Sequence, residues 1–101
     1  MDSSGGIGMQ TLKKRPKWVT GLRPKLEEAL RGKKGAGVIV GKGALRGSDM
    51  IEILEVKFLE GKTDQPTTKI SENLVLFSYP VGDGEGADDV YYRLMGMLSR
   101  V

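Results

Sequence analysis

A small single-domain α+β fold follows from three features of the sequence. Two stretches carry apolar residues at helical spacing, three strand-like runs lie between them, and the connections are short. The predicted element order is α-β-β-β-α. A three-stranded antiparallel meander is expected, because parallel pairing needs longer crossovers. A flexible basic arm over residues 1–19 precedes the domain, which occupies residues 20–101.

The arm comes first. Residues 1–12 are small and polar, with Gly5, Gly6 and Gly8, and show no periodic apolar face. Lys13 to Thr20 continues it as a basic segment that carries Trp18, the only tryptophan. Pro16 and Pro24 prevent one continuous helix there. The first helix uses Leu22, Leu26, Ala29 and Leu30 as its apolar face. Pro24 is expected at its first position, Glu27 and Glu28 near its positive end, Arg31 near its negative end, and Gly32 as the left-handed stop.

The strands follow. Gly37 to Leu45 is a glycine-interrupted run centred on Val38, Ile39 and Val40, and Arg46 to Asp49 reads as a turn. Met50 to Glu60 alternates, with Leu54, Val56 and Phe58 on one face and Glu55 and Lys57 on the other. Ile51 and Ile53 break that alternation and point to a bulge or to burial on both sides. After a polar loop, Gly61 to Pro66, the run Leu74 to Phe77 is apolar on both faces and is expected as a central strand. The last helix is predicted over Ala87 to Val101, with Val90, Leu94, Met97 and Val101 at helical spacing, Asp88 and Asp89 in its first turn and Arg100 in its last.

Composition narrows the function. The chain is 39% hydrophobic and 29% charged, which fits neither a disordered nor a membrane protein. No apolar run approaches the roughly 20 residues of a spanning helix. The opening residues lack a signal-peptide pattern, and Asp2 breaks the myristoylation motif. Cysteine and histidine are absent, so disulfides, thiolate chemistry and the usual zinc sites are excluded. A cytoplasmic location and no membrane partner are expected. With only Asp, Glu, Lys and Tyr for proton transfer and no clear pairing among them, an enzyme is not expected.

The net charge of +3 hides an asymmetry. Residues 1–48 hold eleven basic residues against three acids, a net +8, and residues 49–101 hold five against ten, a net −5. Such asymmetry points to a polyanionic partner. Lys13, Lys14, Arg15 and Lys17 would neutralise phosphates and Trp18 would stack on an unpaired base. Lys33, Lys34, Lys42 and Arg46 are further candidate phosphate contacts.

The loop Gly32-Lys33-Lys34-Gly35 is similar over these four residues to the GxxG backbone clamp of KH domains. That clamp joins two helices, whereas a strand-like run follows here, so a glycine-terminated helix entering a strand is expected. Gly41-Lys42-Gly43 fails the Walker pattern, which needs Gly where Ala36 stands and Ser or Thr where Gly43 stands. Its glycines mark a bulge or a close backbone approach. In the acidic loop Asp83 to Asp89 the EF-hand pattern fails at Ala87 and Leu94, and helix capping is expected instead. No metal and no small-molecule cofactor are expected.

Two functions stay open. One is a non-catalytic nucleic-acid-binding protein, for RNA or DNA. The other is a self-assembling structural or adaptor subunit, a homo-oligomer of the viral or phage kind by analogy, joined through basic and acidic faces. Sequential elements often pack together, so part of the charge is expected to be neutralised inside the domain.

Overall fold

The computed structural model describes residues 16–101. Seven elements follow one another: β1 (Trp18–Thr20), α1 (Leu22–Leu30), β2 (Gly37–Arg46), β3 (Met50–Glu60), β4 (Thr67–Ser71), β5 (Leu74–Val81) and α2 (Ala87–Leu98). The strands form one sheet in the order β1-β3-β2-β5-β4. β1 pairs parallel to β3, and every other neighbour is antiparallel.

This corrects the expected three-stranded meander. The sheet has five strands and is mixed. The segment Thr67–Val81, in which one strand at Leu74 to Phe77 is expected, is a hairpin turned at Glu72 and Asn73, where Glu72 takes φ 56°. β2 lies in the middle because both β3 and β5 pair with it, so the polar loop 61–66 carries the chain across to the outer edge. Residues 18 and 19, expected at the end of the arm, belong to β1. Its parallel placement needs a crossover, which α1 and β2 supply together.

Both helices cover one face of the sheet. Leu22, Leu26 and Leu30 of α1 and Val90, Leu94 and Leu98 of α2 pack on Ile39, Ile51, Ile53, Val75, Phe77 and Val81. Each such side chain contributes about 1.5–3 kcal/mol on burial. The bulge expected in the first half of β3 is present. The register shifts between Lys42, opposite Glu55, and Gly43, opposite Ile53, so Leu54 is the extra residue. It lets Ile51 and Ile53, then Val56 and Phe58, all face the helices.

β2 is glycine-rich because its neighbours leave no room. A Cβ on Gly41 would lie 2.5 Å from the Phe77 ring and 2.6 Å from the Glu55 carbonyl, and one on Gly43 would lie 2.8 Å from Ile51 Cγ2.

The helix ends differ from expectation. Pro24 sits two residues inside α1, and neither Glu27 nor Glu28 is in its first turn. Glu27 instead lies 3.4 Å from Arg23 Nε. Gly32 does take the left-handed conformation after α1, with φ 77°, and a strand follows. α2 ends at Leu98, before Arg100. Its C-terminus is met by Lys17. The Lys17 backbone N–H donates to the Ser99 carbonyl at 2.8 Å, and its ammonium donates to the Val101 oxygen. A cation 84 residues from its acceptor in sequence thus lies at the negative end of the helix.

Candidate functional site

The nine residues singled out in the sequence do not form one surface. Lys13, Lys14 and Arg15 lie outside the described residues. Lys33 and Lys34 sit on the α1–β2 connection at one end of the sheet. Lys17, Trp18 and Arg46 lie at the other end, since Trp18 pairs with Met50 and Met50 with Arg46. The ten residues of β2, about 30 Å at strand rise, separate these groups. Lys42 lies between them.

Several of these cations already have partners. Lys42 Nζ is 3.7 Å from Glu55, which also receives Lys57 at 3.1 Å. Arg46 pairs with Glu52 at 2.8 Å. Hydrogen bonding from Lys57, with its charge and that of Lys42, lowers the Glu55 carboxyl below the usual range. Arg23 pairs with Asp88 across the two helices. The basic first half and acidic second half therefore meet inside the domain at Lys42–Glu55, Arg46–Glu52 and Arg23–Asp88.

The acidic loop is built as a helix start. Glu85 accepts the Gly82 N–H at 2.7 Å and pairs with Arg93. These contacts, the backbone N–H foremost, lower its carboxyl, and Lys33 adds to the effect. Asp89 accepts the Gly86 N–H at 3.2 Å. Arg93 also lies over the Tyr79 ring, 5.7 Å from its centroid. Among the described residues no three acidic side chains converge as metal ligands.

Trp18 is different. It stands 73% exposed at the start of β1, beside Lys17. With Pro16, Lys17, Val19 and Met95 it lines an open hollow of about 450 Å³ at the sheet edge. A second aromatic, Tyr92, is equally exposed. It borders a hollow of about 490 Å³ with Tyr79, Pro66, Gly96, Met97, Arg93 and Arg100. Arg100 makes no ion pair among the described residues. The sequence reading missed Tyr92 and Arg100. A signal was present: Tyr92 lies two residues past Val90, about 200° around the helix and off its apolar stripe.

The face of the sheet away from the helices is apolar in its middle. Cross-strand registers place Val38, Val40, Lys42, Ala44 and Arg46 there from β2, Glu52, Glu55, Lys57 and Leu59 from β3, and Leu74, Leu76, Ser78 and Pro80 from β5. Leu74 and Leu76 keep 43% and 45% exposure, which corrects the two-sided burial expected for this strand. Ser78 is buried there. Its hydroxyl bonds the Thr67 hydroxyl at 2.6 Å and donates to the Gln65 carbonyl at 3.1 Å.

No helix among the described residues is long and apolar enough to cross a membrane. Comparison with protein-family models, with curated proteins and with solved structures gives no significant match. Any functional reading therefore stands on this chain's own residues.

Proposed function

We propose that the chain is a non-catalytic nucleic-acid-binding protein that engages single strands through Lys13, Lys14, Arg15, Lys17 and Trp18. One observation carries this reading. The only tryptophan stands 73% exposed directly after the densest basic stretch, instead of filling the core. Exposed aromatic rings offer stacking platforms to unpaired bases, and neighbouring cations neutralise the phosphates. Lys42 and Arg46 contribute less, because Glu55 and Glu52 already balance them. Tyr92 on α2 with Arg100 just beyond its end offers a second stacking and phosphate contact. The absence of histidine and cysteine is in keeping with a binding role.

Because Trp18 is the sole tryptophan, its fluorescence reports binding directly. A random-sequence oligonucleotide is expected to quench it, with affinity falling as salt rises. Four phosphate contacts give a log–log slope of about −2.8 on a single strand. Neutralising Lys13, Lys14, Arg15 and Lys17 to Gln is expected to abolish the effect, and Trp18→Ala to cost about 1–3 kcal/mol. Affinity that ignores salt would sink the reading.

The second reading, a self-assembling subunit, is favoured by a separate observation, the exposed leucines of β5.

A further inference from the structure

We infer that the open face of the sheet docks a second copy of this chain, sheet on sheet, about a two-fold axis that runs along the strands between β2 and β5. The inference is independent of nucleic-acid binding and concerns the opposite side of the sheet from the helices.

The face has the composition of an interface. Leu74 and Leu76 are about half exposed, Leu59 is 37% exposed, and Val40 lies among them. The charges around them are already paired within the face, Lys42 and Lys57 with Glu55 and Arg46 with Glu52. The leucines at the centre of the face serve a polyanion poorly. An apolar centre with a polar rim suits a protein partner.

The registers say which partner. One row crosses four strands, Glu55 on β3, Lys42 on β2, Leu76 on β5 and Lys69 on β4. A two-fold axis between β2 and β5 lays β2 over β5 and β3 over β4 of the other copy. Lys69, which makes no ion pair among the described residues, then joins the lysines already around Glu55, and the Lys42 stem covers Leu76, both twice over by symmetry. The face is therefore complementary to itself in charge and in apolar surface. Aligned sheets pack at about 30°, which displaces positions on β3 by about 4 Å relative to β4 of the other copy, within reach of a lysine side chain.

The area suits a weak dimer. The axis overlays β2 on β5 and β3 on β4, so the eight residues of β5 and the five of β4 set the overlap. Strands spaced by about 4.8 Å with a rise of about 3.3 Å then give roughly 400 Å² per copy. Two copies bury about 800 Å², the size of a weak, concentration-dependent contact. Edge-to-edge pairing through β4 is the poorer arrangement. Lys69 would oppose its own copy at the central register, and Pro66 lacks a donor at one end of the strand.

Sedimentation equilibrium without nucleic acid tests the proposal. The wild-type chain is expected to be a concentration-dependent dimer. Leu76→Asp is expected to be monomeric, with an unchanged circular dichroism spectrum and melting temperature when compared at high dilution. Glu55→Lys and Lys69→Glu are each expected to weaken the dimer tenfold or more, and the double charge swap to restore it. That rescue is something a merely misfolded variant would not show. A chain that stays monomeric to about 1 mM overturns the proposal. So does a dimer indifferent to Leu76→Asp and to the swap. If Leu76→Asp leaves the mass unchanged but abolishes oligonucleotide binding, the face serves nucleic acid and the dimer is likewise overturned.

Discussion

On the helix-covered side of the sheet, Ile39, Ile51, Val75 and Phe77 are sealed against α1 and α2. One residue away along the same strands, Leu74 and Leu76 keep nearly half their surface. The two faces share backbone, strand order and similar apolar residues. Among the described residues, helices lie over only the first, although Val38 and Ser78 on the second are buried too. The contrast teaches that apolar content does not say what is core. A side chain contributes to folding when another element lies over it, and otherwise it remains available for a partner. The charges show the same division. On the open face Lys42 and Lys57 share Glu55 in solvent, where screening leaves such pairs little to contribute to folding. At the helix ends Lys17 and Glu85 tie together segments far apart or differently directed.

Substitutions can break this contrast, and the largest effect belongs to β2. Gly41→Leu places a side chain where a first carbon already meets the Phe77 ring and the Glu55 carbonyl. Loss of the folded state is expected, seen as a non-cooperative thermal melt. Replacing Lys42, the next residue but on the open face, by Leu should leave the melt cooperative. Smaller, but still on the covered side, Leu94→Ala is expected to cost about 2–5 kcal/mol through its cavity, measured by urea denaturation. Leu74→Ala under the same dilute conditions should cost well under half of that, because the side chain is already partly solvated.

Next comes the join between the ends of the chain. Lys17→Met keeps the length of the side chain and removes the cation at the α2 C-terminus. A cost of about 1 kcal/mol is expected, with faster amide exchange in residues 95–98 as its signature. The smallest effect is acid sensitivity at the start of α2. The Glu85 carboxyl is lowered by the Gly82 N–H and by Arg93. A depressed carboxyl stabilises the fold above its unfolded value and loses that contribution as pH falls through its folded value. Stability should therefore begin to decline below about pH 4.3 and continue downward, and Glu85→Gln should flatten that decline. A variant with an unchanged acid profile would remove Glu85 from the account.

Much of the fold was legible before any coordinates. Leu22, Leu26 and Leu30 of the first stripe and Val90 and Leu94 of the second are core, because a 3.6-residue period repeats whichever sheet it meets, while Met97 and Val101 of the second stripe are only partly buried and Leu98 takes the core position. The broken alternation at Ile51 and Ile53 pointed to a bulge or to burial on both sides, and the register makes it a bulge, since an extra residue keeps four apolar side chains on one face. The turn at Glu72 and Asn73 was harder to see, because Glu72 is not a usual residue for positive φ. β1 was hidden for another reason. Three residues carry no readable period, and their pairing depends on β3, some thirty residues later.

The candidate site divides in the same way. The sequence by itself determined the basic stretch, the lone tryptophan, the absence of histidine and cysteine, and the split in charge, because these are properties of composition and order. Tertiary structure alone decided which charges are spent on one another. Lys42 and Arg46 face Glu55 and Glu52 only because β2 and β3 pair in one register. It likewise decided that Trp18 stays in solvent while Leu94 does not, and that Glu55, Lys42, Leu76 and Lys69 share one row. Such neighbours are set by long-range pairing, which no local pattern in the chain encodes.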